Sequence, residues 1–168
     1  LENRDNINFT VRNGDGPHLL FNGHTDTVSI ADMTIDPFSG EIRDDRLWGR
    51  GATDMKGPLA GMLASLLRLR ERDDWQGALT VSCVVDEEYK YRGILSLLDA
   101  NDPWDFAVVG EPTSLRVVRG CKGSCRFTIH TEGCSAHSSE PGKGANAIVG
   151  MARAIPAMAE FFETDLAQ

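Results

Sequence analysis

Acidic residues and one histidine occur where short apolar segments of this sequence end. Four of them lie at the carboxyl ends of stretches that the hydrophobic pattern predicts to be strands: His24, Glu87, Glu88 and Glu111. In an open parallel sheet the functional crevice lies outside the carboxyl ends of the strands, so these side chains are expected to converge. One such carboxylate is usually a helix cap, but several that converge with a histidine cannot all be caps. This donor set suits zinc or, less selectively, cobalt or manganese.

A fourth acidic residue, Asp54, lies in the glycine-dense stretch Leu47–Gly57, which reads LWGRGATDMKG. Its glycines allow tight or left-handed backbone, so the chain can pack closely around whatever Asp54 holds. By itself the stretch also fits a strand-to-helix turn with a capping aspartate. A phosphate-binding loop would need Gly-Lys followed by Ser or Thr, whereas here Lys56 precedes the glycine and no hydroxyl residue follows.

The elements that must position these side chains alternate between strands and helices. Ala78–Val85 is almost continuously apolar, which is typical of a parallel strand covered on both faces, and Phe106–Val109 is predicted to be another buried strand. Helical spacing of apolar residues predicts a helix from Pro58 to about Asp73. The other predicted elements are strands at Ile7–Val11 and Leu19–Phe21, a hairpin within Thr34–Trp48 and a short helix over Ile94–Leu98. This order predicts an α/β fold with a mostly parallel sheet.

The pattern changes in the last third of the chain. Alternation predicts two strands, Leu115–Val118 and Cys125–Thr131, joined by a turn. A polar loop and a helical stripe of apolar residues, Ile148–Phe162, follow, and the stripe is predicted to be core. Strand, strand and helix with one covered sheet face indicate the start of a small α+β domain. The predicted organisation is a first domain over residues 1–124 and a second over 125–168.

Composition excludes some classes of function. The chain has 168 residues, a hydrophobic content of 41% and a charged content of 25%, which describe a soluble globular protein. The net charge of -8 argues against nucleic-acid binding, because no basic stripe is present to neutralise phosphates. No apolar run approaches the length of a membrane span, and no signal peptide is visible. The chain starts without a methionine, so the latter observation carries little weight.

The cysteines allow one alternative metal site. Cys121, Cys125 and Cys134 together with His137 could form a zinc site of three thiolates and one imidazole, but the spacing is irregular and Cys125 belongs to a predicted strand. Cys83 lies in an apolar strand pattern, where a free thiol behaves as a small hydrophobe. Reduced, structural cysteines are therefore predicted, and they are compatible with a cytoplasmic protein.

Longer motifs occur in a fixed order along most of the chain. They are GHTDTV at Gly23–Val28, DPFSG at Asp36–Gly40, GRGATDMKG at Gly49–Gly57, DEE at Asp86–Glu88, GEPTS at Gly110–Ser114 and AHSSEPGKGANAI at Ala136–Ile148. In these motifs the sequence resembles the dizinc aminoacylase and exopeptidase family, whose members are amidohydrolases and peptidases with two co-catalytic metals. Within that family it is most similar to the branch of acetylornithine deacetylase and succinyl-diaminopimelate desuccinylase. The fold implied is a zinc-exopeptidase-type catalytic domain followed by a lid and dimerisation domain.

The resemblance implies which residues hold metal. It implies that Asp54 bridges two zinc ions and that His24 ligates one of them. Glu88 and Glu111 are each implied to ligate a single metal. Cobalt or manganese are expected to substitute for zinc.

The resemblance also implies catalytic roles. Glu87 is implied to be the general base, Asp26 to fix the orientation of a ring near the metals, and His137 to donate to the oxyanion from the other subunit of a homodimer. Adjacent residues on an extended segment point to opposite sides. We therefore expect Glu88 to face the metals while Glu87 faces the bound water.

The implied activity is hydrolysis of the amide bond of an N-acyl amino acid by a metal-activated water, as in arginine biosynthesis. Alternatives within the family are a dipeptidase, a carboxypeptidase or a desuccinylase, and a further alternative is a non-catalytic relative. The family's second metal also takes a histidine from near the C-terminus, and no such motif occurs before Gln168. The chain is therefore expected to be a fragment that does not turn over substrate by itself.

Overall fold

The computed structural model describes residues 4–100, 102–123 and 126–165. The contacts divide the chain into two compact units, Leu1–Arg119 and Gly120–Gln168. In the described part, the elements are β1 (Ile7–Asn13), β2 (His18–His24), β3 (Glu41–Arg43), β4 (Arg46–Trp48), α1 (Gly57–Arg70), β5 (Gly77–Val84), α2 (Arg92–Asp99), β6 (Phe106–Val109) and α3 (Ala147–Thr164). None of the helices within these described ranges is long and apolar enough to span a membrane.

A four-stranded sheet in the order β1-β5-β2-β6 forms the centre of the first unit. Strand β2 pairs in parallel with β5 and with β6, and β1 pairs antiparallel with β5. The predicted α/β fold with a mostly parallel sheet is therefore confirmed. The hairpin predicted within Thr34–Trp48 is formed by β3 and β4.

The core lies on both faces of β5, every residue of which is buried. On one face α1 packs Leu59, Met62 and Leu66 against the alternate β5 residues Leu79, Val81 and Cys83. On the other face Leu97 of α2 packs with Leu20 and Val84. The prediction of a central strand covered on both faces is confirmed. Because helices pack on both faces of the sheet at β5 and β2, the positions of the residues at the carboxyl ends of these strands are fixed by the core.

Strand β6 corrects the prediction of a second buried strand. All four of its residues are exposed, with Phe106 at 64% and Val109 at 59%. The reason is position, because β6 lies at the sheet edge and pairs with β2 on one side only. An apolar run of four residues predicts a strand but not what covers it.

Two further predictions fail after Glu111. Neither residues 115–118 nor residues 126–131 form a strand in the described part of the chain, and Cys125 lies outside it. Ser114 and Leu115 have φ angles of 55° and 59°, which bend the backbone out of an extended path. A strand also requires a hydrogen-bonding neighbour, and an isolated two-stranded hairpin is marginal in water.

Helix α3 forms as predicted but is not core. It begins at Asn146, whose side chain caps the helix by accepting hydrogen bonds from the backbone N–H groups of Ile148 and Val149. No residue of α3 is buried, and Ile148 is 78% exposed. The ring of Phe162 stacks on that of Phe127 with centroids 6.4 Å apart. The identification of the second unit as a lid remains a prediction.

Candidate metal centre

The centre of the site is His24, the last residue of β2, with a side chain only 2% exposed. Its Nδ1 atom lies 2.9 Å from the backbone carbonyl oxygen of Asp26. A carbonyl can only accept a hydrogen bond, so Nδ1 carries the proton. In the neutral ring, Nε2 therefore presents a lone pair to the crevice.

Three carboxylates face that Nε2 atom. Asp54 Oδ1 lies at 2.9 Å, Glu111 Oε1 at 3.8 Å and Glu87 Oε2 at 4.0 Å. Lone pairs and carboxylates brought so close together repel each other unless a proton or a metal cation lies among them. The structure thus brings together the histidine and the acidic side chains that the strand ends predicted.

The arrangement fits a metal ion. Among the residues that the structure describes, two groups of candidate ligand atoms contain His24, and within each group all atoms lie within 4.8 Å of one another. One group adds Asp54 and Glu111, and the other adds Glu87 and Glu88. One imidazole nitrogen with carboxylate oxygens is a donor set that zinc accepts. Because one nitrogen ligates one ion, His24 can complete only one of the two groups at a time.

Asp54 reaches the site from a wide turn, Ala52–Lys56, that leads into α1. The turn is closed by a hydrogen bond from Lys56 N to the Gly51 carbonyl oxygen over 2.8 Å. Gly51 has a φ of 80°, and a Cβ there would lie 2.8 Å from Thr27 Cγ2. No side chain caps α1, so Asp54 is not the capping residue that the glycine-rich stretch also allowed.

Glu87 and Glu88 lie in a turn immediately after β5. Asp26 holds this turn, because its Oδ1 accepts from Glu87 N and its Oδ2 from Glu88 N, both over 3.1 Å. The prediction that Glu87 and Glu88 lie on an extended segment is wrong. The argument that adjacent side chains point to opposite sides therefore does not apply to them, because they lie in a turn. Both glutamates offer an oxygen close to His24. The Asp26 carboxylate binds amides, and its carbonyl makes the hydrogen bond to the imidazole ring.

The pKa values reflect this crowding of negative charge. Burial acts to lower the pKa of His24, but the hydrogen bonds with the Asp26 carbonyl and the Asp54 carboxylate, together with nearby negative charges, outweigh it and raise the pKa. The pKa values of Glu87 and Glu111 are raised, first by removal from water and then by repulsion from neighbouring carboxylates, against the attraction of His24. A divalent cation would favour the charged carboxylates and reverse this tendency.

Packing behind the site depends on one methionine that sequence reasoning did not single out. Met55 is 0% exposed, and its Sδ atom lies 3.2 Å from the backbone N of His24. A Cβ at Gly23 would lie 2.6 Å from Met55 Cε, and one at Gly110 would lie 3.0 Å from the same atom. The glycines of two motifs therefore make room for this side chain. A methionine beside an aspartate carries no sequence signal for such a role.

Two polar contacts near the site were also not anticipated. Asp86 is buried, with a side chain 6% exposed, and accepts a hydrogen bond from Arg92 Nε over 2.7 Å. This hydrogen bond lowers the pKa of Asp86. Asn6, just before β1, contacts the backbone at both ends of the segment that carries the two glutamates. Asp86 lies in the DEE motif and points away to Arg92, but nothing in the sequence identifies Asn6.

His137 belongs to the second unit, which is described by itself. Its Nδ1 accepts a hydrogen bond from Ser139 N over 3.2 Å and lies 2.8 Å from Ser139 Oγ. A backbone N–H can only donate, so the proton of a neutral ring is on Nε2. His137 therefore presents a donor. Cys134 and Cys121 are free and exposed.

Comparison with known proteins gives consistent matches. The model of peptidase family M20/M25/M40 matches residues 20–163. An acetylornithine deacetylase of Erwinia tasmaniensis is 41% identical over 150 residues, which cover 86% of this chain and 39% of the relative. Succinyl-diaminopimelate desuccinylases of Rhizorhabdus wittichii and Rhodospirillum centenum are 37% and 36% identical over 90% of this chain and 42% and 43% of the relatives. The chain thus spans about two fifths of the length of these relatives.

Proposed function

Because the chain belongs to peptidase family M20/M25/M40, we propose that this protein is a metal-dependent hydrolase that cleaves the amide bond of an N-acyl amino acid. The relatives are named for removing an acetyl group from an ornithine derivative or a succinyl group from a diaminopimelate derivative. A free amino acid and a carboxylic acid would be the products. A dipeptide is the alternative substrate, since it has the same amide bond.

The observation that supports this proposal most strongly is the convergence of acceptors at His24 Nε2. With Nδ1 bonded to a carbonyl, Nε2 faces Asp54 at 2.9 Å and Glu111 at 3.8 Å. Such a set needs a cation, and it lies where an α/β sheet places its crevice. We propose that His24, Asp54 and Glu111 hold one metal and that Asp54 and Glu88 contribute to a second.

The chemistry divides between metal and protein. A bound zinc or cobalt ion lowers the pKa of water to about 7 and polarises a carbonyl group. Glu87 takes the proton as water attacks the amide carbon and passes it to the departing amine. Its position supports this role, because Glu87 Oε2 lies 4.0 Å from Nε2 of the proposed ligand His24, and a general base must lie within reach of the proton that it takes. The Asp26 carboxylate holds Glu87 in position by accepting a hydrogen bond from its backbone N–H group.

His137 is proposed to stabilise the oxyanion. The developing negative charge needs hydrogen-bond donors held ready for it. Its Nε2–H, left as donor by the contact of Nδ1 with Ser139, supports this assignment. In the proposed arrangement, the histidine comes from the second subunit of a homodimer.

We also propose a cytoplasmic location. The free cysteines Cys83, Cys121 and Cys134 support a reducing compartment.

The experiment uses the full-length protein, loaded with zinc or cobalt. Release of free amine is measured with N-acetylornithine, N-succinyl-diaminopimelate, other N-acyl amino acids and dipeptides. Hydrolysis of one acyl class with a kcat/KM at least about tenfold above the others would identify the substrate, and 1.4 kcal/mol of transition-state preference suffices for that ratio. Normal metal binding without hydrolysis of any compound would instead support a non-catalytic relative. Failure to bind metal would overturn the assignment of these residues as metal ligands.

A further inference from the structure

The two glutamates of the site lie in a short loop whose ends touch. The loop runs from Val85 to Gly93, and Gly93 N donates a hydrogen bond to the Val85 carbonyl oxygen over 3.1 Å. Within it, the backbone N–H of Tyr91 donates to the Asp86 carbonyl oxygen over 2.7 Å. The loop is therefore a closed unit, and the position of its two ends sets the position of everything between them.

Asn6 joins both ends of this loop. Its Oδ1 accepts a hydrogen bond from Val85 N over 3.1 Å, and its Nδ2 donates to the Gly93 carbonyl oxygen over 2.7 Å. The side chain is half-buried, and the residue lies 79 and 87 positions away from its two partners. A single side-chain amide thus uses its oxygen as acceptor and its nitrogen as donor to hold the two ends of the loop together.

The contact is close-packed. A Cβ at Gly93 would lie 2.3 Å from the Val85 carbonyl oxygen and 2.7 Å from Asn6 Oδ1. The loop is held again on another side by Asp26, whose carboxylate binds the amides of Glu87 and Glu88. Two side chains from distant parts of the sequence therefore restrain one loop, Asn6 at the two loop ends and Asp26 at the amides of the two glutamates.

We propose that Asn6 is a positioning residue for Glu87 and Glu88, acting through the ends of the loop rather than through contact with substrate or metal. The inference rests on the proposed function, in which these glutamates are the base and a ligand. Asn6 lies outside residues 20–163, the segment that the family model matches.

The physical reason is the sensitivity of both roles to small displacements. Removing the amide leaves Val85 N–H and Gly93 C=O each without a side-chain partner, so that only the hydrogen bond from Gly93 N to the Val85 carbonyl oxygen still joins the loop ends and the ends can shift. A ligand and a base work only when held within about 0.5 Å of the productive geometry. Loss of outer contacts that orient ligands typically costs about 10- to 100-fold in metal affinity or activity.

The test compares Asn6→Ala with Asn13→Ala in the full-length enzyme. Asn13 lies at the other end of β1 and also donates from its side chain to a backbone carbonyl, that of Trp75, over 2.8 Å. The two substitutions remove the same chemical group at opposite ends of β1, but only Asn6 is connected to the loop. Measured quantities are kcat and KM separately, cobalt affinity, the absorption spectrum of the cobalt form and the melting temperature.

For Asn6→Ala we expect kcat and cobalt affinity to fall about 10-fold or more, with a changed cobalt spectrum and a smaller change in KM. Asn13→Ala should lower the melting temperature only. If Asn6→Ala fails to fold, Asn6→Asp is measured instead. It keeps the acceptor for Val85 but loses the donor to Gly93, and it should lower kcat and cobalt affinity in the same direction.

Unchanged kcat, cobalt affinity and spectrum in a folded Asn6 variant would overturn the proposal, whatever the melting temperature. That outcome is distinct from failure of the proposed function, which would appear in the wild-type protein as absent hydrolysis or absent metal binding. The cobalt measurements report on Glu88 even for a substrate that has not been identified.

Discussion

Asp26 Oδ1 accepts a hydrogen bond from the backbone N–H of Glu87 over 3.1 Å. The second oxygen of the same carboxylate binds the amide of Glu88. Strand β2, which ends at His24, is thereby tied to the turn after β5. The histidine and the proposed base cannot shift independently, because a two-residue connection holds one to the other.

Asp26→Asn should lower kcat by about 10- to 100-fold with KM little changed. The amide keeps one acceptor but turns an N–H group towards the other backbone N–H, so one of the two hydrogen bonds is lost. Steady-state kinetics of the full-length enzyme measures the effect. Asp105→Asn is the matched control, since Asp105 Oδ2 accepts from His18 N over 2.7 Å at the opposite end of β2. Equal kinetic effects of the two variants would contradict the positioning role of Asp26.

Glu87→Gln and Glu88→Gln should separate base from ligand. Glutamine at position 87 cannot take a proton, so kcat should fall by about 10²- to 10⁴-fold while metal content stays near that of the wild type. At position 88 the substitution should lower metal content, with activity partly restored by excess zinc. Metal analysis and kinetics on the same samples distinguish the two. The assignment fails if Glu87→Gln loses metal and Glu88→Gln keeps it.

Removal of metal by a chelator should abolish activity and destabilise the protein. Without a cation, the carboxylates of Asp54 and Glu111 face His24 without charge balance. A ligand present at about 100 times its Kd stabilises the folded state by about 2.7 kcal/mol. Melting temperatures with and without zinc measure this stabilisation of the folded state. Glu111→Gln should lose most of the zinc-dependent shift, whereas Glu41→Gln, on the exposed strand β3, should retain it.

Gly93→Ala should destabilise the protein by about 1–3 kcal/mol, because the added methyl group overlaps the Val85 backbone. Gly61→Ala gives the opposite expectation. Gly61 lies within α1 with open space around its Cα, so alanine there should stabilise by about 0.5–1 kcal/mol. Urea denaturation of the full-length protein compares the two variants. A neutral Gly93→Ala would show that the loop ends have more room than the structure gives them.

Much of the site could be predicted from the sequence because its logic is local. An apolar run followed by an acidic residue identifies both a strand and its carboxyl end, as at Ala78–Val85 and Glu88. Parallel pairing then brings His24 and Glu111 to the same edge, because β6 and β5 both neighbour β2. The motif order supplied the roles, which the strand pattern alone does not specify.

Other features depend on contacts that no local pattern encodes. Phe106 and Ile148 have the hydrophobicity of core residues but are exposed, because burial depends on which surface arrives opposite them. Ser114 and Leu115 both have left-handed φ angles, which bend the backbone out of an extended path. The alternation of apolar and polar residues does not indicate such a bend. Asn6 acts on residues about eighty positions away, so its role becomes visible only when β1 pairs with β5.

The double contact of the Asp26 carboxylate has a consequence for exchange of backbone protons with solvent. Amides in a surface turn normally exchange quickly, whereas an amide in a persistent hydrogen bond exchanges only when that bond opens. The N–H groups of Glu87 and Glu88 share one acceptor group, so they should become labelled with deuterium together. Their common labelling rate would then report how often the loop from Val85 to Gly93 separates from the strand that carries His24.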